Sequence, residues 1–285
     1  MSLRALLNGP EILLAPGVCD ALTARIAERA GARALYLSGA ALSYTRFGQP
    51  DIGLVSMTEV VDHVAAIRDR TPLPLIVDAD TGFGNALNLQ RTMRALERAG
   101  AHALQIEDQT LPKRCGHLSG KTLVSTSEMV GKLRAAADVR VSDETLIIAR
   151  TDAIAVESFD AALERAEAYR EAGADVLFIE APRSRAELQS IAACFRGRVP
   201  LMANMVEGGQ TPMGSAADLQ DLGFSLVIFP GGIVRALAKT AEGFYASLLD
   251  SGSTDDYRAQ MHDFAGLGEI LGTQEMLEKG KRYGD

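Results

Sequence analysis

Glu97-Arg98-Ala99-Gly100-Ala101-His102-Ala103-Leu104-Gln105-Ile106-Glu107-Asp108 reads as a helix end, a glycine cap and a strand. Gly100 falls where a helix C-terminus takes left-handed backbone. The run from Ala103 is apolar on consecutive positions, as in a strand covered on both faces. The phrase returns as ERAGARALYLSG from Glu28, as REAGADVLFIEA from Arg170, and more weakly as DLGFSLVIFPG from Asp221. Such self-similarity points to one supersecondary unit used repeatedly.

Working outward, eight short apolar runs are expected as strands: Ile12–Pro16, Ala34–Gly39, Leu75–Asp80, Ala103–Asp108, Leu146–Asp152, Val176–Ala181, Pro200–Met205 and Leu226–Gly231. Helical stretches lie between them, among them Ala21–Ala30, Leu89–Ala99, Ser127–Ala137, Ala161–Ala172 and Ala186–Phe195, with apolar residues recurring at three and four. Eight βα units fit a (β/α)8 TIM-type barrel of class α/β better than a doubly wound sheet, which would more often carry fewer strands and a GxGxxG after the first. Residues 1–285 are therefore expected to form one domain, with 251–285 as a C-terminal helical tail after the polar break Ser251–Asp256.

Composition sets the outer limits. A chain of 285 residues with 47% hydrophobic content supplies a sizeable core, which excludes a disulfide-stapled miniprotein and a disordered tail. The net charge of −8 argues against a nucleic-acid clamp, which needs a basic stripe. No apolar run reaches the roughly 18 residues of a membrane span, and Asn8-Gly9-Pro10 interrupts the N-terminus too early for a signal peptide. A cytoplasmic location with reduced thiols is expected, since Cys19, Cys115 and Cys194 form neither a CxxC pattern nor an even framework. Cys19 and Cys194 are expected to be packed, and His63 and His102 to be structural or solvated.

In a barrel of this kind the chemistry sits at the C-terminal strand ends. Ser38, Asp78, Asp80, Glu107, Asp108, Arg150, Asp152, Glu180 and Asn204 all fall there. Capping of the following helices explains individual members but not opposite charges interleaved around one rim. Asp78-Ala79-Asp80 puts two carboxylates on one strand face, with Glu107 and Asp108 ending the next strand. Converging carboxylates without thiolate or imidazole neighbours suit Mg²⁺ or Mn²⁺ and disfavour zinc.

After Glu107 the segment Lys113-Arg114-Cys115-Gly116-His117-Leu118-Ser119-Gly120-Lys121 is too long for an ordinary βα connection and is expected to be a mobile lid. Lys113, Arg114 and His117 flank Cys115 with positive charge, favouring its thiolate and making it a candidate proton donor or nucleophile.

The strand YLSG (Tyr36–Gly39), the DADTGFG run (Asp78–Gly84), QIED (Gln105–Asp108) and KRCGH (Lys113–His117) together resemble the isocitrate lyase and phosphoenolpyruvate mutase superfamily over nearly the whole chain. Cysteine in the loop resembles the carbon–carbon lyase branch rather than the phosphonate-handling members. The resemblance implies that Asp78 and Asp80 hold Mg²⁺, largely through waters, with Glu107 in support. It implies that Ser38, Gly39 and Ala40 bind a substrate carboxylate, that Tyr36 assists loss of the substrate hydroxyl proton, and that Asp51 faces the metal. It makes Cys115 the general acid, with Lys113 in the same catalytic loop and Gly116 and His117 touching substrate from the closed lid. Arg150, Glu180, Asn204 and Arg235 match substrate-binding positions. It also implies a homotetramer built from dimers that exchange the last barrel helix.

Asn204-Met205-Val206-Glu207-Gly208-Gly209-Gln210-Thr211-Pro212 is more similar to alkylmalate-cleaving and oxaloacetate-hydrolysing members than to methylisocitrate lyases. The expected activity is Mg²⁺-dependent cleavage of a 2-hydroxy dicarboxylate of the 2-alkylmalate or 2,3-dimethylmalate type to a 2-oxo acid and a carboxylic acid. Oxaloacetate hydrolysis or decarboxylation, methylisocitrate cleavage and phosphonate mutation stand as alternatives on the same site. A non-catalytic binding barrel and a Schiff-base aldolase stand further off, the latter because no lysine lies at an expected strand end. The alkyl group is expected to be selected near Tyr44, Phe47 and Phe83, where a methylene is worth only roughly 1–3 kcal/mol.

Overall fold

The computed structural model describes residues 1–116 and 118–284. Eight parallel strands close into a barrel in chain order: β1 Leu13–Val18, β2 Leu35–Leu37, β3 Leu75–Asp78, β4 Ala103–Glu107, β5 Leu146–Thr151, β6 Val176–Ile179, β7 Leu201–Asn204 and β8 Leu226–Phe229. β1 closes the ring on β8 with Leu13 opposite Leu226 and Pro16 opposite Phe229. The repeated helix–glycine–strand phrase folds as its sequence implies. Helix Ala86–Ala99 ends on Gly100 at φ 99°, and β4 begins three residues later.

Because strand side chains alternate, each strand feeds two apolar layers. The outward positions, such as Val77, Leu104, Ile106, Ile147 and Leu177, pack against the helices. The inward ones, including Tyr36, Ile76, Ala103, Ile148, Phe178 and Met202, fill the barrel. Leu3, Leu6 and Leu7 of the short helix Leu3–Leu7 join this inner layer and plug the barrel beneath the N-terminal strand ends. The functional rim is thus left at the opposite end.

Seven of the eight expected strands are shorter than their apolar runs, and in two of them the early stop shapes the rim. β3 ends at Asp78 because Ala79 and Asp80 turn away, Asp80 adopting φ 46°, a left-handed conformation that Asp tolerates. The run from Ala34 to Gly39 pairs only over Leu35–Leu37, since Ser38 caps the helix Gly39–Phe47. Past the barrel, helix Gly232–Ser251 leads into Phe264–Leu271, which returns to the body: Ile270 is buried and its carbonyl accepts from Arg25 Nε at 3.1 Å. Among the described residues no helix is long and apolar enough to cross a membrane. Cys19 is packed as expected, but Cys194 is exposed, because it lies on the outward face of helix Arg185–Phe195. His63 Nε2 meets the Cys19 carbonyl, and His102 Nδ1 accepts from Leu75 N at 3.2 Å, both structural contacts.

Candidate active site

Alternation along the strands sorts the rim. The inward series Ile76–Asp78, Ala103–Gln105–Glu107, Ile148–Arg150–Asp152 and Phe178–Glu180 start apolar and end polar, so the barrel filling gives way to charge at its C-terminal mouth. Asp78, Asp80, Glu107, Arg150, Asp152 and Glu180 are all buried. Such a density of charge persists only when it is paired or when function holds it there.

Arg150 is the central cation. Its Nε and Nη2 donate to Asp152 Oδ2 and Oδ1 at 2.9 and 3.1 Å, its Nη1 lies 3.2 Å from Glu107 Oε2, and its guanidinium stacks 5.3 Å above the Phe178 ring centre. Burial works against the charged form, but Asp152, Glu107 and Glu180 outweigh it and raise Arg150 well above its ordinary range. Glu180 accepts from Asn204 Nδ2 at 3.3 Å, bringing β6 and β7 into the same wall.

The second cation comes from the loop. Lys113 pairs with Asp51 and lies 2.8 Å from Asp80 Oδ1, its side chain only 3% exposed. Burial alone would lower it, yet the facing Asp80, Glu107, Asp51 and Asp78 carry it well above its usual value. Burial foremost, with Asp78 and Asp51 adding repulsion against the pull of Lys113, pushes Asp80 up to about 7. Glu107 is raised as well, first by burial and despite Arg150 and Lys113. The available cations therefore do not satisfy the acids.

Two atoms show the same deficit. Glu107 Oε1 is a buried oxygen without a hydrogen-bond partner among the described residues, and Asp80 Oδ1, though ion-paired with Lys113 at 2.8 Å, accepts no hydrogen bond either. Hard, unsatisfied carboxylate oxygens fit a small dication. Among the described residues no three His, Cys, Asp or Glu side chains group closely enough to ligate one directly. The donor set therefore suits Mg²⁺, which takes one or two carboxylates and keeps several waters.

Tyr36 completes the floor. Its hydroxyl donates to Gln105 Oε1 at 2.6 Å, and Gln105 Nε2 donates to Asp78 Oδ1 at 3.2 Å. Burial, with Asp78 and Glu107 close by, raises Tyr36 well above the ordinary phenol range, so the ring is a neutral donor. Sequence reasoning passed over Gln105, although it sits two before Glu107 and hence on the same face.

The loop lies over this mouth. Cys115 N donates to Asp51 O at 3.2 Å, and a Cβ on Gly116 would come within 2.5 Å of Arg150 Nη2 and 2.7 Å of Glu180 Oε1. One pocket is lined by Tyr36, Ser38, Ala40, Asp51, Asp78 and Lys113, and equally by Cys115, Gly116, Arg150, Glu180, Asn204 and Arg235. Gly39, Asp80 and Glu107 stand just behind: Gly39 N donates to Asp78 Oδ2 at 3.2 Å, and the two acids meet the lining cations. Arg235 stays at the half-exposed entrance, 3.2 Å from Glu207 Oε2. His117 lies outside the described residues.

Of the aromatic residues expected to select the alkyl group, Tyr44 lines the pocket, together with Val206 and Pro230. Phe47 and Phe83 do not. Phe47 is turned toward solvent with Arg46 5.4 Å from its ring centre, and Phe83 packs on the outer core, since the turn after Asp80 carries it away from the barrel axis.

Residues 3–249 match the family model for phosphoenolpyruvate phosphomutase. The chain is 41% identical over 281 residues to 2,3-dimethylmalate lyase of Eubacterium barkeri, covering 99% of this chain and 96% of the relative. It is 44% identical over 270 residues to a 2-methylisocitrate lyase of Aeropyrum pernix, covering 95% and 86%. Among solved structures, oxaloacetate acetylhydrolase in complex with 3,3-difluorooxalacetate superposes with a TM-score of 0.93 at 34% identity, covering 99% and 96%. Phosphonopyruvate hydrolase in complex with oxalate and Mg²⁺ does so with a TM-score of 0.88 at 31% identity, covering 99% and 97%. Matched along this length in sequence and in fold, the chain belongs to the phosphoenolpyruvate phosphomutase family, within the PEP mutase/isocitrate lyase superfamily.

Proposed function

We propose that the protein is a Mg²⁺-dependent carbon–carbon lyase that cleaves a 2-hydroxy dicarboxylate of the 2,3-dimethylmalate type to a 2-oxo acid and a carboxylic acid. The observation that carries this reading is a cysteine held by a loop over a buried acid cluster in which Asp80 Oδ1 and Glu107 Oε1 have no hydrogen-bond partner among the described residues. Similarity to 2,3-dimethylmalate lyase and 2-methylisocitrate lyases supports the reaction class.

The reaction passes the proton of the substrate hydroxyl to a rim carboxylate, Glu107 with its unpartnered Oε1 being the candidate, breaks the bond between C2 and C3, and leaves the electron pair on C3 as a carboxylate enolate that takes up one proton. Asp78 and Asp80, with Glu107 behind them, would hold Mg²⁺ or Mn²⁺, which when bound supplies the electrophile for the oxyanion. Arg150 offers charge-assisted hydrogen bonds to a carboxylate. Ser38 and the Ala40 amide, at the start of helix Gly39–Phe47, would receive the other, with Gly39 N shared between it and Asp78. Tyr36, neutral and with its own proton on Gln105, can accept from the substrate hydroxyl and so assist loss of that proton. Cys115 delivers its thiol proton to C3. Lys113 lowers the cost of bringing an anion beside Asp51 and Asp80, Gly116 closes the roof, and Glu180 with Asn204 and Arg235 shapes the entrance.

We infer a cytoplasmic homotetramer of helix-exchanged dimers. None of the described residues of helix Gly232–Ser251 is buried, and Leu237, Tyr245 and Leu249 are exposed, which supports docking on a second copy. The test of function is a substrate panel with Mg²⁺: malate, 2-methylmalate, 2,3-dimethylmalate, methylisocitrate, oxaloacetate and phosphonopyruvate. Preferential release of a 2-oxo acid from an alkylmalate is expected. Turnover of oxaloacetate or phosphonopyruvate alone would move the protein to another branch.

A further inference from the structure

Lys121, the last residue of the loop, has a side chain only 2% exposed, and the carboxylate it meets, Asp152 at 2.8 Å, is fully buried. A buried lysine at the end of a surface loop is costly, and its pairing must repay the desolvation of both partners. The same Asp152 Oδ1 accepts from Arg150 Nη2 at 3.1 Å, while Oδ2 takes Arg150 Nε at 2.9 Å. Lys121 Nζ also donates to the carbonyl of Gly116, five residues earlier in the loop. One carboxylate thus joins the central arginine of the pocket to the turn that carries Cys115 and Gly116.

Asp152 is itself fixed from behind. Its amide donates to Asp108 Oδ1 at 3.0 Å, and Asp108 Oδ2 accepts from Thr151 Oγ1 and from Tyr169 OH, each at 2.7 Å. Because Gly116 leaves no room for a Cβ beside Arg150 and Glu180, a small shift of its peptide is felt at once in the pocket.

We propose that Lys121 and Asp152 are positioning residues that register the Cys115–Gly116 segment against Arg150, so that the proton donor is in place only when the arginine is. This rests on the lyase reading above for its kinetic consequence, though not for its geometry. Lys121→Met removes the ammonium and leaves Asp152 to Arg150, whereas Lys121→Arg keeps a cation able to reach Asp152.

The experiment compares both variants with wild type as full-length protein with Mg²⁺, measuring kcat and KM on the best substrate of the panel. It also measures the rate of Cys115 alkylation by iodoacetamide, resolved by peptide mass spectrometry, and the thermal midpoint. In Lys121→Met we expect kcat to fall about a hundredfold, the cost of misplacing a reacting group by an ångström, with KM within a few-fold. Cys115 alkylation should rise about tenfold as the segment lifts. Lys121→Arg should recover most of both. Wild-type alkylation in Lys121→Met overturns the proposal, as does a loss in Lys121→Met that Lys121→Arg shares in full, because charge-held register would then not be the cause. If wild type turns over nothing in the panel, the lyase reading fails, and alkylation together with its rescue still decides the role of Lys121.

Discussion

Lys113 holds its ammonium 2.8 Å from Asp80 Oδ1, and Asp80 is still pushed up to about 7 because burial, reinforced by Asp78 and Asp51, outweighs that cation. One lysine does not neutralise this cluster, and a dication would. Saturating Mg²⁺ should therefore raise the thermal midpoint, by an amount corresponding to about 2.7 kcal/mol at a hundredfold excess over Kd. Scanning fluorimetry with and without chelator reads the shift. An equal shift in the Asp78→Asn, Asp80→Asn double variant would place the ion elsewhere.

Gly116→Ala probes the roof. Its new methyl would press on Arg150 Nη2 and Glu180 Oε1, and Arg150 has little freedom to yield while Asp152 and Glu107 hold it. We predict a kcat/KM lower by about one to two orders of magnitude, with thermal stability changed little, since the loop lies outside the core. Unchanged steady-state kinetics would mean that the loop does not close on Arg150 during turnover.

Tyr169→Phe tests the support behind the rim. The lost hydroxyl is a donor to Asp108 Oδ2 at 2.7 Å within a fully buried group, so the carboxylate keeps its charge with one donor fewer. A stability loss of about 1–3 kcal/mol is expected from urea unfolding at neutral pH. A midpoint equal to wild type would show that Thr151 Oγ1 and Arg165, whose Nη1 lies 3.4 Å from Asp108 Oδ2, suffice.

Much of this was legible before any coordinates, for physical reasons that differ by residue. Consecutive apolar runs declare buried parallel strands, and the period of two places Asp78, Glu107 and Arg150 at one end of the barrel interior. The same rule covered Gln105, but an amide between apolar neighbours carries no charge to draw notice. Lys121 could be quoted from the loop yet not assigned, because whether a loop lysine is buried depends on where the loop folds back. Phe47 and Phe83 failed for a related reason: a residue near the rim in sequence is turned in or out by its local backbone, and Asp80, Gly82 and Phe83 itself take left-handed φ of 46°, 86° and 60°. Leu3, Leu6 and Leu7 look like an ordinary amphipathic start, and only the closed ring gives them an open end to plug.

In the proposed reaction Cys115 protonates the enolate released when a 2-hydroxy dicarboxylate is split. Its most direct test is the cleavage of 2,3-dimethylmalate in D₂O with Mg²⁺, following pyruvate by coupled reduction and propionate by NMR, for wild type and Cys115→Ser. Wild type should release the two products in equal amounts, with one solvent-derived deuteron at C2 of propionate, and Cys115→Ser should be slower by about two to four orders of magnitude while remaining folded. Absence of pyruvate with wild type, or cleavage by Cys115→Ser at the wild-type rate, would contradict the account.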